Sequence, residues 1–101
     1  MRERHMTDTP EGARDERALD VQRLREFGAL MFGTDWQRAT ARALGPHHPD
    51  GPRDSVDDRL VRRWIAGERP IPSWVRGACH RVARDRAQRI QEWLTRDGAA
   101  S

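Results

Sequence analysis

Five of the six prolines fall in two short clusters, PHHPDGPRD at 46–54 and ERPIP at 68–72. Proline lacks the amide that a helix interior or a central strand needs, and it pushes the residue before it away from helical angles. The chain is therefore cut at these two places. No uncut piece alternates in the manner of a strand, and each carries apolar residues at helical spacing. The fold class expected is all-α: a small four-helix domain whose middle helices are short and whose last helix is long.

The first helix is expected over 15–32, where Val21, Leu24, Phe27 and Met31 form a stripe that Leu30 widens, and Gly33 ends it. TDWQ at 34–37 matches a capping box, with Thr34 placed to cap the Gln37 amide. The helix that follows, 35–44, turns Trp36, Ala39, Ala43 and Leu44 inward. Ala41 permits close helix approach, and Gly45 suits the position after a helix end. Residues 46–54 form an exposed loop without helix. Ser55, with Asp58 three residues on, opens a helix over 56–66 that Gly67 closes. Ser73 caps a final helix over 74–96, and Gly98 marks its end. At ~1.5 Å per residue that helix spans ~34 Å, more than so small a domain can cover. Ile90, Trp93 and Leu94 on its far half are expected to pack on the first helix or on a second copy of the chain. The organisation expected is a flexible arm at 1–14, a domain at 15–96 with its core motif at 34–67, and a tail at 97–101.

Charge is unevenly distributed. Residues 1–54 hold nine Arg and ten acids, whereas residues 55–96 hold ten Arg and five acids. The second half is where a polyanion is expected to dock. Every Lys/Arg position is Arg. A GC-rich coding sequence suffices to explain that, although Arg also forms bidentate bonds to phosphate and guanine that Lys cannot copy. The single cysteine, Cys79, excludes an internal disulfide and fits a reducing cytosol. No apolar run approaches a membrane span, and no signal-peptide core stands at the N-terminus.

The charge and the periodicity meet in RLVRRWIAGERPIP, 59–72. Val61, Trp64 and Ile65 claim one side of a short helix, which leaves Arg59, Arg62 and Arg63 on the other. A helix buried on one face and cationic on the opposite one fits the ~12 Å major groove of duplex DNA, where Arg bonds guanine O6 and N7 together.

FGTDWQRATARALG followed by DDRLVRRWIAGERPIP resembles the lambda-repressor-like (Cro/C1-type) helix-turn-helix regulators of bacteria and phages, a group that includes anti-CRISPR-associated repressors. The resemblance covers residues 27–75. Trp36 opens the first motif and Leu44-Gly45 closes it; Arg59, Val61, Arg62, Arg63, Trp64, Gly67, Pro70, Ile71 and Pro72 fill the second. It implies a dimeric repressor that occludes a promoter by binding a palindromic operator, in the cytoplasm at the nucleoid. Asp58, Arg59, Arg62 and Arg63 then stand at base-reading positions, with helix capping the other role open to Asp58 and phosphate contact open to Arg62. Gln37 matches a phosphate-contacting position, and Thr34, Arg38, Arg53 and Arg69 are candidate phosphate neighbours. Arg69 is alternatively a surface residue paired with an acid such as Glu68. Two departures stand out. About ten residues, 45–54, separate the two motifs where the family has a few, and Thr40 stands where the family favours leucine.

Other residues point less sharply. Trp36, Trp64 and Trp74 have core phases, while Trp93 is open to internal packing or to a dimer contact. His47, His48, Cys79 and His80 lack the spacing of a zinc finger. Cys79 has no companion that would make it a nucleophile. No metal, cofactor, small-molecule substrate, membrane or enzymatic activity is expected. The competing reading is a helical protein-interaction module, antitoxin-like or a phage adaptor, whose basic helix grips an acidic protein.

Overall fold

A computed structural model describes the backbone of residues 2–100 and the side chains of residues 16–99. The fold is all-α. Its helices are α1 (Arg2–Phe32), α2 (Trp36–Leu44), α3 (Asp58–Ala66) and α4 (Ser73–Ala100), with one 3₁₀ turn at Gly45–His47 and no strand among the described residues.

All four helices supply the core. Leu24 of α1, Trp36 and Leu44 of α2, Val61 and Trp64 of α3, and Val75 and Ala78 of α4 are buried together, and Val56 joins them from the segment before α3. Trp64, Leu44, Val61 and Val75 are the largest wholly apolar contributors below 2 % exposure. An aromatic side chain of that size dominates the apolar burial of so small a domain. α1 and α2 approach closely because Gly28 has no side chain: a Cβ there would sit inside the Trp36 indole.

Several boundaries differ from the sequence expectation. α1 begins at Arg2 rather than near 15, running through Pro10 and Gly12, both poor helix formers. The arm expected at 1–14 lies outside the described side chains, and Met1 lies outside the described backbone. The capping box at 34–37 does not form. Asp35 stands at the N-cap of α2 and makes no side-chain capping bond. The segment 46–54 is not wholly free of helix, since Pro46 occupies the first turn of the 3₁₀ turn, a position where its missing amide is not needed. Gly45 keeps right-handed angles, φ −51°, and so continues the chain into that turn instead of capping α2 in a left-handed conformation. α3 starts at Asp58 with Asp57 as its cap, not Ser55, whose hydroxyl instead donates to the Val56 carbonyl at 2.7 Å. Gly98 lies within α4, which reaches Ala100 and includes Ser73 as its first residue. Gly33 and Gly67 do close their helices with φ of 80° and 78°, the left-handed angles that favour glycine.

Packing also departs from the stripes. Leu30 is 86 % exposed and takes no part in the core. In α2 the buried set is Trp36, Thr40, Ala41 and Leu44, while Ala39 and Ala43 are only half-buried. Thr40 is completely buried and its hydroxyl has no hydrogen-bond partner. A buried hydroxyl left unpaired costs roughly 1–3 kcal/mol. Thr40→Val keeps the shape and removes the orphan group, so it is expected to raise stability by about 1 kcal/mol, read as a higher midpoint in urea with an unchanged slope.

α4 has two halves. Up to Ala83 its inner residues pack on α1 and α2; from Arg84 to Ala99 every residue is exposed. That stretch leaves Ile90, Trp93 and Leu94 at 51 %, 54 % and 50 % exposure. They take no part in the core with the described residues of α1, one of the two surfaces the sequence offered them.

Candidate nucleic-acid interface

α3 is fixed at both ends. The Asp57 carboxylate accepts from the Arg59 amide at 3.0 Å and caps the first turn. At the other end Gly67 turns left-handed, and the amides of Gly67 and Glu68 return to the last carbonyls, including a 3.0 Å bond from Glu68 to Arg63. Between these caps Val61 is 0 % and Trp64 1 % exposed. At ~100° per residue, Arg59, Arg62 and Arg63 fall on the arc opposite Val61 and Trp64, and all three are exposed. The apolar face therefore holds the helix while the cationic face stays in water.

The insertion between α2 and α3 does not separate them. The Gly45 carbonyl accepts from the Arg53 amide at 3.0 Å and from the His48 amide at 3.2 Å, and the Val56 amide donates to the Ala41 carbonyl in the last turn of α2 at 2.9 Å. Residues 46–52 thus leave and return through one closed neck. The loop is steadied outside by an edge contact between His48 and Trp74, ring centroids 5.2 Å apart. With the neck shut, α2 and α3 pack directly on each other.

Asp58, at the start of α3, ties the two helices together electrostatically. Its carboxylate is 3.5 Å from Arg62 Nη2 and 4.0 Å from Arg38 Nε on α2. The capping role open to Asp58 belongs to Asp57 instead. Both ion pairs are long and their arginines exposed, so each contributes little to stability; their effect is to bias where two guanidinium groups point. Arg59 is 3.8 Å from Asp57. Arg63 and Arg69 are exposed, as is Thr34 in the turn before α2, and Gln37 is half-buried in its first turn. Arg53 lies at the neck and pairs with Asp50 at 4.0 Å, apart from the Arg38–Asp58–Arg62 group. The structure thus gathers Arg38, Asp58 and Arg62 into one cluster beside Arg59 and Arg63. The sequence reading missed the link from Asp58 to Arg38. Spacing signals only the Asp58–Arg62 half of the cluster, an acid and an arginine four residues apart on one helix; nothing local signals Arg38.

Elsewhere, burial pushes the Cys79 thiol up to about 11, so it is a poor nucleophile. Among the described residues no three His, Cys, Asp or Glu side chains are grouped to hold a metal ion. Among the described residues no helix is long and apolar enough to cross a membrane. No protein-family model, curated protein or solved structure matches the chain.

Proposed function

We propose that the protein is a sequence-specific, double-stranded DNA-binding transcriptional regulator of the lambda-repressor-like helix-turn-helix type. It acts as a homodimer that represses by occluding a promoter at the nucleoid. The observation that carries this reading is the division of α3: Val61 and Trp64 are fully buried while Arg59, Arg62 and Arg63 are all exposed on the opposite arc. A one-sided cationic helix, anchored on its neighbour with its arginines exposed, has the form needed to enter a major groove.

In this reading Arg59 and Arg63 bond base edges, guanine above all, and Arg62 takes a base or a phosphate. Gln37, Arg38 and Thr34 contact phosphates from the start of α2, with Arg53 and Arg69 as outlying contacts. Asp58 orients Arg62 and Arg38, in addition to any contact with cytosine. Removing its charge frees two guanidinium groups for phosphate. Asp58→Ala is accordingly expected to tighten binding to random duplex several-fold and to narrow the preference for the operator. Equal, unchanged affinities in a fluorescence-anisotropy titration would remove Asp58 from the interface.

The reading is tested by selecting bound duplexes from a random pool and titrating the winner at several salt concentrations. A regulator prefers one sequence over random duplex and loses affinity steeply with salt. Negligible binding at every salt concentration would instead favour an acidic protein as the partner of α3.

A further inference from the structure

The apolar stripe of α4 runs past the end of the core that covers it. At ~100° per residue, Val75, Cys79, Ala83, Ile90, Trp93 and Leu94 share an arc about 100° wide. The first three lie in the half of the helix that packs on the core; the last three are half-exposed. Arg86 interrupts the stripe between its two sets, and Arg76 stands at its edge, at the same angle as Leu94. Beside its inner half, α1 and α4 leave a groove of about 850 Å³, floored by Leu24, Phe27, Val75 and Cys79; Arg76 and Arg84 line it from α4, and Asp20, Arg23 and Glu26 from α1. The protein thus displays, on one helix, an apolar projection and an apolar groove.

We propose that these two features are each other's partners between two copies of the chain: Ile90, Trp93 and Leu94 of one protomer seat in the α1–α4 groove of the other, and reciprocally. The inference rests on the homodimer in the reading above and fixes its geometry. Charge selects the orientation. Residues 73–84 contain three arginines and no carboxylate, while all three carboxylates of α4, Asp85, Glu92 and Asp97, lie beyond Arg84, where Arg86, Arg89 and Arg96 balance them. Antiparallel helices set the wholly cationic half of one copy against the acid-bearing half of the other. Parallel helices would set the two cationic halves side by side. Patch and groove are centred near 92 and 79, so the two-fold axis of the antiparallel pair passes close to Arg86. A two-fold interface of this kind is self-complementary and closed, so it stops at two copies. The two Arg86 side chains meet at the axis, a polar break that fixes register at some cost in affinity.

The test uses the full chain without DNA. Sedimentation equilibrium is expected to give a dimer for the wild type and a monomer for the Ile90→Ser, Trp93→Ser double variant. Both residues are half-exposed, so the variant still unfolds cooperatively. Arg86→Leu is expected to tighten the dimer several-fold. Orientation is read in a Cys79→Ser background by mixing an Ala83→Cys chain with an Ile90→Cys chain under mild oxidant. A disulfide-linked dimer forms in the mixture and not in either chain alone. A monomeric wild type, a dimer that survives the double variant, a dimer weakened by Arg86→Leu, or self-linking of the Ile90→Cys chain would each overturn the proposal. Failure of the duplex selection would leave these results untouched, and their failure would leave α3 untouched.

Discussion

Gly45→Ala is expected to destabilise the protein by about 3 kcal/mol, whereas Gly77→Ala is expected to stabilise it by about 0.5–1 kcal/mol. The same methyl group has opposite signs because of what surrounds it. At Gly45 a Cβ would lie 2.5 Å from the Arg53 carbonyl oxygen and 2.6 Å from the Ser55 nitrogen. Both are backbone atoms, held where they are by the bonds that close the neck, so neither yields as a flexible side chain would. Relief requires the Arg53–Gly45 bond or the end of α2 to open. At Gly77 a Cβ meets nothing within 4 Å. There the methyl only lowers the entropy of the unfolded chain in the interior of a long helix. For a domain of about 100 residues, ~3 kcal/mol corresponds to a fall in melting temperature of roughly 12–24 °C. Thermal unfolding followed by circular dichroism distinguishes the pair. Equal melting temperatures for the two variants would show that the neck carries no stability.

Arg59→Ala with Arg63→Ala is expected to abolish operator recognition in a protein that remains folded. Both side chains are exposed and neither touches the core, so the variant should unfold at nearly the wild-type temperature. Each base-reading arginine contributes about 1–3 kcal/mol of discrimination. If the two act independently, the double variant loses about 2–6 kcal/mol, or roughly 30-fold to 20,000-fold in affinity for a selected duplex. Affinity for random duplex should fall much less, because the phosphate contacts proposed for the start of α2 would be left in place. A variant that bound the selected duplex as tightly as the wild type would show that α3 is not the reading element.

How much was legible in the sequence differs from element to element. The two faces of α3 followed from spacing alone, because Val61 and Trp64 are three apart and an anchored helix has only one other side. The ends of α3 were half legible. Gly67 had a unique role, but Ser55 and Asp57 are both good caps two residues apart, and only tertiary packing chose Asp57. Gly45 has a role its local sequence does not announce. A glycine after a helix suggests a left-handed cap, whereas here it admits the returning strand of a loop, and such an approach leaves no trace in local sequence. Thr40 stands where leucine is favoured in the family the sequence resembles, but its complete burial without a partner depends on the packing of α2 against its neighbours. For the candidate site, the arginines of α3 were legible. The bridge from Asp58 to Arg38 was not, since it joins residues twenty positions apart across the insertion. That α4 outruns the core followed from simple length, since a helix that long exceeds a core this small; which surface Ile90, Trp93 and Leu94 meet did not.

The closed neck below the excursion at 46–52 has a consequence for how such a chain can diversify. Because Gly45, Arg53 and Val56 fasten the two ends of the excursion to α2, what happens beyond the fastening is mechanically uncoupled from the angle between α2 and α3. Residues can be gained, lost or exchanged around Gly51 while the helix pair below holds its pose, which makes this outer bight the natural place for lineages to experiment.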